Sequence, residues 1–476
     1  MKFLQFISRY KLPLVLAVAL IIRVGILFAF PSIFNFEQTG AVHGSDAYDS
    51  YAQNLLATGV YGRVPGEPDA WIPPGYSYAL MPVYALFGRG GVQVGLFNTA
   101  LDLVTITLLY YIGVNLFGTA NRERGKWIGA GAGLFYAGYP YLVFQNLTLI
   151  DTPLFMLLLY AFILLMILLR KPDPLDARTW GLAAAGGFVL GLTMMVRPIV
   201  PPLALLVAVW FLFRRSLLQT VIRLLPVAMI GMVVVLGWTV RNYSVYGTFV
   251  PLTTTSGANF WQGNSEYTIP YFRAGYDVQW TAPELQTEDL TSREADAERF
   301  ELAVDYLREN TDEIPELLWV KFLIHWSIDV APRRNPTAGE LPRLEYVGDA
   351  RVLSTADENL ELGDLPEGDP VDAYSQPLFD TVGRQIHRYY YGGLFLLSLA
   401  GAIIAAREWR YVSLLWFTQF AMTVTYVAFH PSTRYRVPTD PLLFLFSAST
   451  LYAVWQWYTN RRTQQTAAPI REAAEV

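Results

Sequence analysis

The sequence has no cysteine among its 476 residues. Disulfides, thiolate metal sites and cysteine nucleophiles are therefore excluded. Histidine is nearly as scarce. His43, His325, His387 and His430 are scattered, with no His-x-x-x-His pair, which argues against a structural zinc site. Charge is thin as well: 16% of residues are Asp, Glu, Lys or Arg, against 53% hydrophobic. Nucleotide-binding loops are missing too. Gly88-Arg-Gly-Gly-Val-Gln-Val-Gly lacks the spacing of a dinucleotide fingerprint and no P-loop occurs. No internal repeat or low-complexity tract is evident, and nothing points to a nucleic-acid partner.

What is present in abundance is apolar sequence, in runs long enough to cross a hydrocarbon core of ~30 Å. The expected class is an all-α polytopic membrane protein. It would have about ten transmembrane helices, interfacial juxtamembrane helices and a long irregular outer loop. The spans are predicted near 12–31, 92–117, 127–143, 152–169, 179–196, 198–213, 222–240, 386–406, 409–429 and 437–457. The first run follows a basic start (Lys2, Arg9, Lys11), but Arg23 interrupts it and no small-x-small cleavage site follows. It reads as a retained span. With ten spans, one set of connections carries Lys2/Arg9/Lys11, Arg122/Arg124/Lys126, Arg170/Lys171/Arg178, Arg214/Arg215/Arg223, Arg407/Arg410 and Arg461/Arg462. That is the positive-inside pattern. It puts both termini in the cytoplasm; the expected location is the plasma (inner) membrane. The chain then divides into a membrane core with its first outer loop (1–240, loop 32–91), an acidic extracytoplasmic region (241–385), C-terminal spans (386–460) and a cytoplasmic tail (461–476).

The outer side has its own chemistry. Residues 242–385 hold 26 Asp and Glu against 10 Lys and Arg. The stretch around 291–310 is helix-like, 316–330 suits the interface, and 332–382, rich in Pro, Gly and acid, reads as irregular. Against the positive-inside rule, arginines stand at outer helix ends: Arg197, Arg241, Arg384, Arg388, Arg434 and Arg436. Arginine's fork matches phosphate oxygens in pairs, and a lipid phosphate is the obvious anion at that depth. Arg197, Arg241, Arg434 and Arg436 are the candidates for that role. Snorkelling to headgroups or pairing with the acidic region would also account for them. Arg23 differs, because it falls mid-span. Counting ~1.5 Å per residue sets it level with Asp102, so a structural ion pair is expected.

Residues 46–58 read as an amphipathic helix on the membrane surface. Tyr48, Tyr51, Ala52, Leu55 and Leu56 share one face, and Asp46, Asp49 and Gln53 share another. A carboxylate held at that interface can act as a base, and Asp46 is the first candidate. It also sits where a helix N-cap belongs, and Asp49 could simply answer the helix dipole. Asp151, opening the fourth span on the same side, is either a cap or a second carboxylate facing the same cavity. A second short helix is expected at 76–87, with Pro74 suited to its start and Gly88 to its end.

Taken in order, these features resemble the membrane-embedded type C glycosyltransferases of the protein-mannosyltransferase and aminoarabinose-transferase superfamily. The resemblance rests on Asp46 before Tyr51-Ala-Gln-Asn-Leu-Leu-Ala-Thr-Gly, Pro73-Pro74-Gly75-Tyr76 and Tyr111-Ile-Gly-Val-Asn-Leu-Phe-Gly. It continues through Gly191-Leu-Thr-Met-Met-Val-Arg-Pro, Trp238-Thr-Val-Arg-Asn-Tyr with Gly247, and His430 with Arg434-Tyr-Arg-Val-Pro. It implies an inverting transfer on the extracytoplasmic face. A sugar moves from a polyprenyl-phosphate donor to an acceptor hydroxyl on protein, lipid or glycan. The first-loop aspartate would be the general base, carried onto Asp46 with Asp49 as fallback and Asp151 secondary. The outer arginines could stabilise the leaving phosphate, so no cofactor is required. Some relatives bind a divalent metal, toward which His43 and His430 could contribute, but no metal site is assigned. The competing readings are an oligosaccharide transferase or ligase using a lipid-linked glycan, a polytopic transporter, and a non-catalytic lipid-sugar binder. The transporter reading lacks paired halves with broken midplane helices.

Overall fold

The computed structural model describes residues 9–29, 46–171, 175–278, 292–332, 343–347, 350–354 and 382–472. Helices dominate them. In chain order they are α1 (Lys11–Ala29), α2 (Asp46–Thr58), α3 (Gly75–Phe87), α4 (Gly91–Phe117), α5 (Arg122–Ala137), α6 (Pro140–Gln145), α7 (Thr152–Leu169), α8 (Ala177–Val196), α9 (Pro201–Leu212) and α10 (Leu217–Tyr246). The region between α10 and the last spans adds α11 (Ser256–Gln262), α12 (Thr268–Ala274), α13 (Arg293–Glu309) and α14 (Ile314–His325). A hairpin of β1 (Arg343–Val347) and β2 (Ala350–Ser354) follows. The chain closes with α15 (Arg384–Ile404), α16 (Trp409–Ala428), the short α17 (Thr433–Arg436) and α18 (Asp440–Glu472).

Each of the ten expected spans has a helical counterpart, but length and composition do not qualify all of them. Seven described segments are long and apolar enough to cross a membrane, one of them the 45-residue stretch Arg384–Ala428 that contains both α15 and α16. The counterparts α5 and α9 are shorter, at 16 and 12 residues. The chain is thus a multi-pass membrane protein by its spans, while the count of ten goes beyond what helix length supports.

One buried core unites α4 to α9 with α15, α16 and α18. Glycine lets two of these helices approach closely. A Cβ built on Gly129 of α5 would lie 2.5 Å from the Tyr110 carbonyl oxygen of α4, and one on Gly113 would lie 2.7 Å from the Gly129 Cα. Small residues at a helix contact serve this purpose in membranes, where lipid tails give apolar side chains no reason to prefer each other. Inside this core Arg23 Nε donates to Asp102 at 2.7 Å, and both side chains are almost wholly buried. Tyr136 and Asn146 also donate to Asp102, and Arg23 reaches the Ala137 carbonyl. The acid therefore has donors from α1, α5 and the loop before α7.

Two expectations about the outer side need correction. The face Tyr48, Tyr51, Ala52 and Leu55 of α2 is buried in aromatic clusters with Tyr76, Tyr84, Tyr61 and Trp238, not against lipid. Only Leu56, 44% exposed, points away. The protein offers this face a better partner than headgroups do, because α3 docks on it. The 332–382 stretch is not wholly irregular either. Arg343 to Val347 pairs antiparallel with Ala350 to Ser354, and Leu344 packs on a small aromatic core of Trp261, Tyr267, Tyr271, Phe272 and Tyr276. Helix α13 starts where Ser292 accepts from the Ala295 N–H, an ordinary N-cap.

Removing one partner of a buried ion pair costs about 3–5 kcal/mol, because the other charge is stranded. Asp102→Asn should therefore lower the thermal unfolding midpoint of the detergent-purified protein. The double change Arg23→Met with Asp102→Leu should recover much of the loss. A single variant as stable as wild type would remove the pair from the stabilising framework.

Candidate active site at the outer helix ends

Three helix ends meet at Asp151. This residue precedes α7, with its carboxylate buried and turned toward the C-terminal end of α8. There Arg197 donates through Nε at 2.6 Å to one carboxylate oxygen and through Nη2 at 2.7 Å to the other. Nη2 also reaches the Thr152 hydroxyl at 2.7 Å. Proline at position 198 ends α8 after Val196, so the arginine falls at the helix terminus rather than inside it. From α17, Arg434 brings Nη2 to 3.8 Å from Asp151, with its side chain 36% exposed. Two guanidiniums thus face one carboxylate. Nη1 of Arg197 and Nε of Arg434 are buried and have no hydrogen-bond partner among the described residues.

Aromatic rings wall this group. Tyr435 stacks on Tyr426 with centroids 4.6 Å apart, and Arg197 lies 4.9 Å over Phe155 and 6.0 Å from the Tyr435 ring. Tyr48 closes the side toward the first outer loop. Burial and then the Asp151 charge push its hydroxyl well above the ordinary tyrosine range, while Arg434 and Arg197 pull the other way. It stays protonated and can act only as a neutral donor or acceptor. For Asp151, burial opposes the charged form, but the Arg197 charge, its hydrogen bonds and Arg434 outweigh it and hold the carboxyl below its usual range.

Asp46 is the first residue of α2, two positions before Tyr48, so its backbone stands at the edge of this group; its side chain lies outside the described residues. Asp49 is placed differently from the polar stripe expected for it. It is buried and accepts from Tyr84 at 2.8 Å, Gln53 at 2.8 Å, and Arg89 through Nε at 3.0 Å and Nη2 at 2.7 Å. Both its oxygens are engaged, which fastens α2 to α3 and to the turn before α4.

The outer arginines do not share one destination. Arg241 donates to the Asp69 carbonyl at 2.5 Å and the Tyr61 carbonyl at 2.6 Å, and packs 4.7 Å over Trp238. Nearby, Trp238 and Asn242 donate to carbonyls of residues 250–252. The end of α10 thereby holds the loops at 61–69 and 250–252. Arg436 is wholly buried against Asp440 at 3.1 Å, 3.9 Å over the Tyr391 ring. Arg388 pairs with Asp329 at 2.6 Å. Only Arg197 and Arg434, of the four arginines singled out for a phosphate, come together. The aromatic wall of Tyr48, Tyr426 and Tyr435 was not singled out from the sequence. Its sequence signals are Tyr48, on the apolar face of α2, and Tyr435, lying between Arg434 and Arg436.

The described donors do not make a metal site. His430 is buried with Nε2 3.2 Å from Asp277, but no group of three or more His, Asp or Glu side chains converges among the described residues. His43 lies outside them. Close by, His325 ends α14 with both ring nitrogens buried and without hydrogen-bond partners among the described residues, stacked on Tyr426 at 6.0 Å.

The comparisons with known proteins agree with this architecture. Residues 72–240 match the family model for dolichyl-phosphate-mannose-protein mannosyltransferase. No curated protein matches the chain by sequence. Among solved structures, archaeal oligosaccharyltransferase AglB from Archaeoglobus fulgidus, in complex with an inhibitory peptide and a dolichol-phosphate, is 14% identical. The match covers 97% of this chain and 52% of that one, with a TM-score of 0.52. The Archaeoglobus fulgidus oligosaccharyltransferase complex with Zn and sulfate gives 13% identity, coverage of 95% and 50%, and a TM-score of 0.52. ArnT from Cupriavidus metallidurans in the apo state gives 15% identity, coverage of 92% and 77%, and a TM-score of 0.40. The chain spans about half the length of the archaeal chains it matches, and at these identities the likeness is one of fold.

Burial, and then the Arg436 charge, push His325 down to about 3 from its ordinary 6.5. Above the unfolded value the imidazole is neutral in both states. Below it the unfolded chain takes up a proton that the folded protein refuses, so stability falls with acid by at most about 1.4 kcal/mol per pH unit. His325→Phe should flatten that slope in pH-dependent thermal unfolding, and an unchanged slope would assign the acid sensitivity to other groups. The chain shares the fold of the archaeal oligosaccharyltransferase chains, and its residues 72–240 match the mannosyltransferase family model.

Proposed function

We propose that this protein is an inverting glycosyltransferase, taking a sugar from a polyprenyl-phosphate donor and passing it to an acceptor hydroxyl at the outer membrane face. The observation that carries the reading is the Arg197–Arg434 pair. It sits at the outer ends of spans, holds two unfilled N–H donors and adjoins the helix that Asp46 begins. The family match supports a transferase using a lipid-linked donor, and AglB in one matched structure is in complex with a dolichol-phosphate.

In this mechanism the donor's lipid lies among the spans and its phosphate meets the two arginines. The acceptor oxygen attacks the anomeric carbon from the side opposite the phosphate. Asp46 takes the hydroxyl proton as the new carbon–oxygen bond forms. The bond from the anomeric carbon to the phosphate oxygen breaks, and the electron pair leaves with the lipid phosphate. The guanidiniums offset the charge that develops there. Asp151 acts through Arg197, holding its fork. Asp49 is a weaker candidate for the base because both its oxygens already accept hydrogen bonds. An oligosaccharide transferase is the second reading. The ordered unit around Trp261 and Tyr271, together with the fold match, favours it over a transporter. The positive-inside pattern supports cytoplasmic termini and an extracytoplasmic site in the plasma membrane.

The test supplies radiolabelled polyprenyl-phosphate sugars and a membrane extract to the purified protein. Asp46→Asn should cut transfer by about 10²–10⁴-fold while leaving donor binding intact. Arg434→Gln should cut it by about 10²-fold and weaken donor binding as well. Wild-type transfer by Asp46→Asn would move the base elsewhere. Absence of transfer from any lipid-linked donor would sink the transferase reading.

A further inference from the structure

A second cationic site stands at the other end of the bundle. Helix α7 starts just after Asp151 and ends just before Arg170, and α9 starts four residues after Arg197 and ends just before Phe213, so residues near 170 and 213 lie a full helix length from the candidate active site. Between the end of α9 and the start of α16 is a cavity of about 540 Å³. Three arginines line it, Arg214, Arg407 and Arg410, with Phe213, Trp409 and Tyr411 as aromatic walls. Arg214 lies 4.5 Å over the Tyr411 ring and Arg410 5.5 Å from the Trp409 ring. Among the described residues one acid lines it, Glu408, whose Oε1 pairs with Arg124 and whose Oε2 is buried without a partner.

Behind the wall is Arg170, 5% exposed. Its guanidinium lies 3.7 Å over Trp210, and Nη1 donates to the Arg410 carbonyl at 2.8 Å. Nε and Nη2 are buried without partners, and among the described residues no carboxylate pairs with it. Arg215 adds a further positive charge, donating to the Arg170 carbonyl at 2.9 Å. Burial, and then the charges of Arg214 and Arg215, push Arg170 down to about 9. Among the described residues Arg170, Arg214, Arg407 and Arg410 outnumber the carboxylate of Glu408 and repel each other, and an anion seated among them relieves that repulsion.

We infer that this cavity binds a phosphate group, in the form of an anionic phospholipid headgroup. Guanidiniums in a fork suit phosphate oxygens, and the volume suits a headgroup. Leu212, Leu217 and Leu218, all exposed and within four residues of the lining Arg214, offer acyl chains a surface, which favours a lipid over a free ion. Basic pockets between spans at the arginine-rich end of a membrane protein have this chemistry. The inference is independent of the transfer chemistry at Asp151.

The test uses the full chain, delipidated in neutral detergent. Retention of phosphatidylglycerol is counted by native mass spectrometry and thermal protection is recorded. Phosphatidylcholine and inorganic phosphate serve as the other probes. Phosphatidylglycerol should be retained and should protect, and phosphatidylcholine should not. Arg214 and Arg410 present exposed side chains, so the double change Arg214→Gln with Arg410→Gln should fold. It should weaken retention about tenfold or more, given the worth of charge-assisted hydrogen bonds. Arg407→Gln alone supplies a milder variant should the double one prove unstable. If inorganic phosphate protects equally and displaces the lipid, the phosphate site stands and the lipid form of its occupant is overturned. Equal retention of phosphatidylcholine, or undiminished phosphatidylglycerol binding by both variants, would overturn the site.

Discussion

A guanidinium at the edge of hydrocarbon must find an acceptor, and the bidentate contact of Arg197 with Asp151 is where this chain meets that demand most fully. The contact joins the start of one span to the end of the next. Without it, the C-terminal end of α8 would carry a bare charge, and Asp151 would be a buried anion beside Tyr48 and Tyr426. With it, one positive charge is balanced and a second, on Arg434, is only partly so. The excess is the electrostatic character of the site. A carboxylate that balances one of two arginines leaves a net positive charge, part of it on the solvent-accessible Arg434.

The same rule orders the rest of the molecule. Arg23 is held by Asp102, Arg436 by Asp440, Arg388 by Asp329 and Arg89 by Asp49. Each pair ties together segments far apart in the chain or pins a short turn. Among the described residues the Arg170 group departs from this pattern, since Arg170 packs on an aromatic ring and meets other arginines.

Much of the helical layout could be read from apolar runs, because a helix in lipid must satisfy its own backbone and so needs a continuous stretch. The short helices α2 and α3 were likewise legible from periodicity and from Pro74 and Gly88, whose N–H caps the Tyr84 carbonyl. Depth was legible too: Arg23 and Asp102 stand level by residue count and touch in the fold. What sequence could not supply was direction around a helix axis. Arg197, Arg241, Arg434 and Arg436 gave one signal, outer-end arginine, yet two of them turn to other partners. Asp49 read as a surface carboxylate because Arg89, its partner, lies forty residues away. The hairpin at 343–354 was hidden by the Pro, Gly and acid around it, although Arg-Leu-Glu-Tyr-Val alternates as a strand should.

Helix α10 has thirty residues, about 45 Å of rise, well beyond the hydrocarbon thickness. Its last turns, at Trp238, Arg241 and Asn242, clasp the loops at 61–69 and 250–252. The helix therefore works as a gauge rod, fixing how far those loops stand from the far leaflet. Since the rod does not stretch, a thicker or thinner bilayer changes the gap between the loops and the headgroups beneath them. Bilayer thickness becomes a variable of the site's geometry, as real as any side chain that lines it.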